Sequence, residues 1–494
     1  MSDPVTLPLW LALVLAALAA WAVLERLLVP GVRWFLRRRV ERVVEEVNRR
    51  LAIEIRPFQR TRRRVLIDRL VWDPRVLAAV DEAVAEGVPR DVAMARVARY
   101  AREIVPSFNA YAYFRVGTLA ARRLARSLYR VRLAALDEAA LAAVPREATV
   151  VFVMNHRSNM DYVLVAYLAA TRTALSYAVG EWARVWPLQT LVRSLGAYFV
   201  RRRSGNPLYR RVLERYVQMA TESGVPQAIY PEGGLTRDGR LREPRIGLVD
   251  YILRGFAPGR QRDVVFVPVG LNYDRVLEDR TQVRELDPAA ARPGPLAATG
   301  RTLAFAGRQL GLLLAGRWHR FGYACVGFGR PLSLTAWLAA RGAEPRAMER
   351  EARIALAGEL AGELMARVGE VVPVVPVAQV ARVFLDRLDE AAGGAGSSSE
   401  PIGLTRSELQ REVDALAARL RAAGAAVYLP RRDQDYAVEV GLRMLTLRRL
   451  VREEGGVYRA EPAERTLLAY YAGSIEHLPG AAERSATESA AMAS

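Results

Sequence analysis

The sequence predicts an α/β protein: a sheet flanked by helices, preceded by an N-terminal transmembrane helix and a helical N-terminal region, and followed by a small C-terminal α/β unit. Three observations predict this. Residues 5–24 carry no charge and are mostly Leu, Ala, Val and Trp. Between residues 148 and 273, short β-branched and aromatic runs alternate with amphipathic stretches, the rhythm of strands and helices packed in layers. Residues 391–399, rich in Gly, Ala and Ser, separate a second and shorter patterned stretch from the first.

Taken in order, residues 1–28 are the expected membrane anchor. About twenty helical residues at roughly 1.5 Å each span the ~30 Å hydrocarbon layer. The chain opens Met1-Ser2-Asp3-Pro4, without the positive start of a signal peptide, and its basic residues follow the apolar run at Arg26, Arg33, Arg37, Arg38, Arg39 and Arg42. By the positive-inside tendency the body of the protein is cytoplasmic. A buried core helix is the alternative for this run. Residues 29–145 follow a helical pattern. Residues 146–390 form the α/β domain, with strands expected near 149–154, 197–200, 228–230 and 264–269. Residues 391–403 read as a flexible linker. Residues 404–480 form the small C-terminal domain, opening with a helix near 407–421 that stops at Gly424. Residues 481–494 read as a disordered tail.

Composition narrows the chemistry. Of the 494 residues, 51% are hydrophobic and 25% charged, as in a folded protein with room for two or three domains. The net charge of +19 invites an anionic partner: nucleic acid, a membrane surface or a phosphorylated substrate. All 72 basic residues are arginine, which excludes a lysine phosphate loop, a kinase-type lysine and a lysine Schiff base. GC-rich coding is the simpler source of that bias. Cys325 is the one cysteine, so neither an internal disulfide nor a cysteine-rich zinc cluster can form; within its apolar run it reads as a buried, inert thiol. The three histidines, His156, His319 and His477, are not spaced as a metal pair, and no metal site is expected.

Four segments carry the chemistry. In the first, an apolar run ends in Asn155-His156-Arg157-Ser158-Asn159-Met160-Asp161-Tyr162. A strand that ends where a helix begins puts His156 in the crevice at the strand's carboxyl end, where open α/β sheets bind ligands. Asp161 can return to His156 and fix its tautomer. The same spacing, Ser158-x-x-Asp161, also fits a helix capping box. In the second, Gly196-Ala-Tyr-Phe-Val runs into Arg201-Arg202-Arg203, and guanidinium groups bind phosphate bidentately. Arg201 and Arg203 share one side of such a strand and Arg202 takes the other; a solvated basic strand end is the alternative. The third, Tyr230-Pro231-Glu232-Gly233-Gly234-Leu235-Thr236-Arg237-Asp238-Gly239, reads as a strand entering a glycine-rich turn, in which Glu232 can accept hydrogen bonds from hydroxyls. The fourth, Val264-Val-Phe-Val-Pro268-Val-Gly270-Leu-Asn-Tyr273, alone would be only a core strand.

In this order the four segments resemble the glycerol-3-phosphate acyltransferase family, within the wider superfamily of glycerolipid acyltransferases. His156 and Asp161 match its H-x-x-x-x-D block, extended as H-R-S-x-x-D-Y through Tyr162. Residues 196–202 resemble G-x-F-F-I-R-R. Residues 232–239 resemble E-G-G-x-S-R-x-G, with Thr236 for serine, and Pro268 matches the proline of the fourth block. The resemblance extends less sharply to residues 328–333 and the C-terminal unit. Leu235 departs where many members carry arginine, which leaves Arg237 or Arg245 to supply that contact.

The resemblance implies an acyltransferase sheet and acyl transfer from acyl-CoA or acyl-carrier protein to the sn-1 hydroxyl of glycerol 3-phosphate. It implies His156 and Asp161 as the catalytic pair, with Arg157, Ser158, Arg201, Arg202, Glu232, Gly233, Thr236, Arg237 and Pro268 at the substrates. The acyl donor is a co-substrate, and no cofactor or metal is implied. The expected surroundings are an inner, cytoplasmic membrane rich in anionic phospholipid, with the protein single-pass and its catalytic domain cytoplasmic. No nucleic-acid motif is present. A 1-acylglycerol-3-phosphate acyltransferase would share the first block, and a basic membrane-surface protein would explain the charge alone. No G-x-S-x-G elbow occurs, so direct attack by the alcohol is expected, without an acyl-enzyme.

Overall fold

The computed structural model describes residues 56–109, 113, 117–169, 175–179, 193, 196–201, 205–287, 320–393 and 403–481. The expected anchor (1–28), most of the expected linker and residues 482–494 lie outside these. Among the described residues, no helix is long and apolar enough to cross a membrane.

After a single helical turn at Pro57–Arg60 come three longer helices: α1 (Arg63–Val71), α2 (Pro74–Ala85) and α3 (Arg90–Ile104). In α2, Pro74 occupies the first turn, where its missing N–H costs nothing, and Asp73 Oδ1 accepts the Arg75 N–H at 3.0 Å. Val76, Ala79, Val80 and Ala83, spaced at three and four, form its buried stripe. After α4 (Thr118–Leu128) the chain enters β1 (Arg130–Leu136), a strand within the stretch expected to be helical. β1 runs parallel to β7 (Tyr323–Phe328), from Arg130↔Tyr323 to Leu136↔Phe328. This partner, almost two hundred positions away, outweighs local propensity.

The rest of the large sheet comprises β2 (Thr149–Met154), β3 (Ser176–Val179), β4 (Ala197–Phe199), β5 (Gln227–Ile229), β6 (Val264–Tyr273) and β8 (Leu332–Ser333). Its order is β1-β7-β6-β2-β5-β3-β4, with β8 also paired to β6. The run from β6 to β4 is parallel, whereas β7 and β8 lie antiparallel to β6. The sheet is therefore mixed, and β2 is flanked by two later strands, β5 and β6. Helices α5 (Met160–Ala169), α6 (Pro207–Glu222), α7 (Gly247–Gly255) and α8 (Asp279–Arg284) alternate with these strands.

The period of two sorts the core. Val151 and Val153 of β2, with Val264 and Phe266 of β6, face a layer built from α1, α2, α3, α6, α7 and α9 (Arg350–Glu370). Val150 and Met154, with Val267, Val269 and Leu271, join a second cluster that includes Tyr177, Phe199 and Tyr230. Gly270 and Gly327 lie opposite each other across β6 and β7. A Cβ at either would sit 2.3 or 2.2 Å from the Val371 carbonyl oxygen, so both glycines admit the chain leaving α9.

The C-terminal unit comprises β9 (Leu404–Thr405), α11 (Arg406–Ala422), α12 (Gln434–Leu447), β10 (Val451–Glu454), β11 (Val457–Ala460) and α13 (Arg465–Ala472). Its three strands form an antiparallel sheet in the order β10-β11-β9. Thr405 and Glu408 close a capping box at the start of α11, and Gly424 follows its end at φ +85°. Helix α10 (Pro376–Gly393), which precedes the linker, packs into this unit. One apolar cluster joins Tyr129, Tyr273 and Cys325 at the large sheet to α10, α11, α12 and α13. Cys325 is fully buried there, and burial pushes its thiol well above the usual range. Ala481, assigned from sequence to the tail, is buried against this unit.

Candidate active site

Between the end of β2 at Met154 and the start of α5 at Met160, the chain makes one short loop over the carboxyl end of the sheet. β6 runs on past the level of Met154, and the Asn155 side chain continues the pairing. Its Nδ2 donates to the Leu271 carbonyl at 2.9 Å, and its Oδ1 accepts the Leu271 N–H at 2.8 Å. The amide thus stands in for one more peptide of β2 and lets the main chain turn away at His156.

His156 is 1% exposed, and its Nδ1 lies 2.9 Å from Asp161 Oδ2. The same oxygen accepts the Arg157 N–H at 2.8 Å and the Ser158 N–H at 3.0 Å, while Oδ1 accepts the Tyr273 hydroxyl. Burial and the Asp161 charge push the Tyr273 phenol well above its usual range, so it stays a donor. The two sequence readings of Asp161 therefore hold together: the carboxylate caps the start of α5 and also orients the imidazole. A carboxylate on Nδ1 keeps the proton there and leaves the Nε2 lone pair available. The Tyr162 hydroxyl lies 3.3 Å from Nε2, and the Tyr230 ring lies against the imidazole with centroids 4.3 Å apart.

The glycine-rich turn closes over the same loop. Glu232 is 1% exposed and its Oε2 accepts the His156 N–H at 3.3 Å, while the Thr236 N–H donates to the His156 carbonyl at 3.0 Å. Burial pushes the Glu232 carboxyl up to about 8, against the pull of the His156 and Arg242 N–H groups and the Arg157 charge. Burial thus favours the protonated acid, which can donate a hydrogen bond. Gly233 has φ +66°, and a Cβ there would lie 2.6 Å from Cδ of the exposed Arg245, which covers the turn.

The remaining residues singled out in the sequence occupy varied positions. Arg157 is buried. Its Nη1 donates to the Gly239 carbonyl at 2.5 Å, and its guanidinium lies 5.2 Å from the centroid of the Tyr470 ring. Ser158 Oγ donates to Glu278 at 2.7 Å. Thr236 Oγ1 lies 2.8 Å from the Arg240 carbonyl oxygen and Arg237 pairs with Glu285 at 3.1 Å, both within the turn's own surroundings. Arg201 makes a bidentate pair with Glu103 of α3, at 2.8 and 2.6 Å, beside the Tyr100 and Tyr209 rings, which pack edge-on against each other. Arg202 and Arg203 lie outside the described residues. Pro268 sits inside β6 opposite Val153, where its ring occupies the gap between the β7 and β8 pairings. The described structure thus gathers His156, Asp161 and the Glu232–Thr236 turn, with Arg201 and Pro268 set in the framework.

Sequence reasoning did not single out Asn155, Tyr230, Tyr273 or Glu278 for the site. Three of them lie within or beside the quoted segments, and alternation along β6 could have aimed Tyr273 at the crevice. Glu278 had no signal, since only the fold brings it across to Ser158.

Residues 139–272 match the family model described as Acyltransferase, and residues 310–487 match the Glycerol-3-phosphate acyltransferase C-terminal region. A glycerol-3-phosphate acyltransferase of Pseudomonas entomophila is 29% identical over 428 residues, covering 85% of this chain and 49% of that one. One from Pseudomonas putida is 28% identical over 452 residues, covering 89% and 52%. The chain thus spans about half the length of these curated relatives. A solved 1-acyl-sn-glycerophosphate (LPA) acyltransferase from Thermotoga maritima is 15% identical, with 51% of this chain and 77% of that one covered and a TM-score of 0.30.

Proposed function

We propose that the chain is a glycerol-3-phosphate acyltransferase, which transfers a fatty acyl group from acyl-CoA or acyl-carrier protein to the sn-1 hydroxyl of glycerol 3-phosphate, as its similarity to the two family models and to the Pseudomonas relatives supports. The observation that carries this reading is the His156 Nδ1–Asp161 contact of 2.9 Å at the carboxyl end of β2, which leaves Nε2 as the acceptor of a proton. An alcohol is a poor nucleophile at neutral pH, so a base must take its proton during attack. The sn-1 hydroxyl takes the position of the Tyr162 hydroxyl at Nε2. Its oxygen attacks the thioester carbonyl as Nε2 accepts the proton, and the imidazolium that forms faces the Asp161 carboxylate. Collapse of the tetrahedral intermediate breaks the C–S bond, and the imidazolium returns its proton to the departing sulfur.

In this reading the neutral Glu232 acid and the turn around Gly233 face the glycerol 3-phosphate. Arg202 is the proposed phosphate ligand, because its neighbour Arg201 is paired with Glu103. Residues 5–24 anchor the protein in the cytoplasmic membrane, so it should resist extraction by carbonate and lose that resistance without residues 1–28.

The test is an acceptor and donor panel on the purified protein in detergent, following thiol release and lipid product. Glycerol 3-phosphate should be the preferred acceptor, and His156→Ala should fold while losing roughly 10²–10⁴-fold in turnover. A preference for lysophosphatidate overturns the named acceptor, and near-normal turnover of folded His156→Ala overturns the base.

A further inference from the structure

The catalytic loop is held from outside the motif by one short helix. Glu278, immediately before α8, receives three donors from the loop between β2 and α5. Ser158 Oγ donates at 2.7 Å to one oxygen; the Asn159 N–H and Nδ2 donate at 3.2 and 3.0 Å to the other. One turn on, Gln282 Nε2 donates to the Arg157 carbonyl at 3.2 Å. Consecutive residues of the loop, 157 to 159, are thereby fixed by α8, on either side of the Asp161 contacts.

The other face of α8 belongs to the C-terminal unit. The Tyr470 hydroxyl donates to Gln282 Oε1 at 2.8 Å, so a single amide joins Tyr470 to the loop. Arg448 pairs with Asp279 at 2.6 Å, Tyr471 donates to the same carboxylate, and Arg280 pairs with Glu464 at 2.9 Å. The Tyr470 ring also lies beneath the buried Arg157 guanidinium. Glu278 is half-buried, and a carboxylate that meets three donors of one loop holds those donors in place, because a donor turned inward that loses its acceptor costs free energy.

We propose that α8 and the C-terminal unit together form a positioning device for the His156–Asp161 pair, with Glu278 as the positioning residue that grips the loop and Tyr470 as its support. The proposal rests on the reading of His156 as the base. Neither residue touches the imidazole. They act by holding the loop in register, and a displacement of about 1 Å at a reacting group can cost about a hundredfold in rate.

The experiment compares Glu278→Ala, Glu278→Gln and Tyr470→Phe in the full chain, with steady-state kinetics and the ¹⁵N-histidine spectrum of the His156 Nδ1–H. Glu278→Ala should lower kcat about ten- to a hundredfold with both KM values within about twofold, and should broaden or shift the Nδ1–H signal. Glu278→Gln, which keeps one acceptor for Asn159, should recover most of the rate. Tyr470→Phe keeps the ring beneath Arg157 and removes only the hydroxyl, so it should lower kcat severalfold with little change in melting temperature. A folded Glu278→Ala with unchanged kcat and unchanged Nδ1–H signal overturns the proposal, as does a lowered kcat with the signal intact. A disturbed signal with unchanged turnover supports the positioning role and refutes His156 as the base.

Discussion

Replacing Asp161 with asparagine separates the two duties of that carboxylate. Oδ2 meets three N–H donors, from the His156 ring, Arg157 and Ser158, whereas Oδ1 meets the Tyr273 hydroxyl. An asparagine whose carbonyl oxygen takes the three-donor side points its NH₂ at Tyr273, and a hydroxyl can turn to accept. The cap on α5 survives, so the stability loss should stay near ~1 kcal/mol, the scale of one altered hydrogen bond. The charge does not survive. When His156 takes the proton, an imidazolium forms beside the carboxylate, and unit charges about 4 Å apart at an effective dielectric of about 20 attract by about 4 kcal/mol. At 1.36 kcal/mol per decade, this is roughly a thousandfold in kcat. The assay is thiol release at saturating donor and acceptor, with thermal melting run in parallel. A folded Asp161→Asn enzyme within about tenfold of wild-type kcat would refute the electrostatic role and reduce Asp161 to a helix cap.

Two further outcomes follow from buried groups. Because burial lifts Glu232 to about 8, the folded chain keeps a proton that the unfolded chain loses near 4.5. That contribution to stability is complete below about 4.5 and lost as pH rises through about 8. Glu232→Gln should therefore melt progressively higher relative to wild type across this window, and parallel curves would contradict the assignment. Gly239 has φ +83°, and a Cβ there would lie 1.8 Å from the Tyr470 carbonyl oxygen. Gly239→Ala should cost more than the ~1–2 kcal/mol of left-handed strain, since α13 must also move, and an unchanged melting temperature would show that this contact is absent.

Much of the site was legible because its chemistry is local. Asp161 reaches His156 across one turn, and a strand ending at Met154 fixes where that turn lies. The strands around it were equally plain, since β2 and β6 are continuous apolar runs. β1 was not, because Arg130-Val-Arg-Leu-Ala-Ala-Leu suits a helix as well as a strand and only β7 decides the matter. The surroundings of the arginines were less legible for a related reason. In the described structure the partners of Arg157, Arg201 and Arg237 are a carbonyl, Glu103 and Glu285, none of which the sequence reading named. A guanidinium at a strand end looks the same in sequence whether its anion is a substrate phosphate or a carboxylate of a distant helix.

The apolar cluster that runs from Tyr129 and Cys325 through α10 to Leu478 has a consequence for how the molecule comes apart. The sequence places a boundary at residues 391–403, and a cut there would be expected to release an autonomous domain. Helix α10 lies before that boundary, yet Val377, Val380, Ala381 and Phe384 are buried in the same cluster as α11, α12 and α13. Detaching the C-terminal piece would bare that face and also strip the floor beneath Arg157. Denaturation should therefore proceed as one cooperative transition, and a chain nicked between residues 394 and 402 should sediment as a single particle.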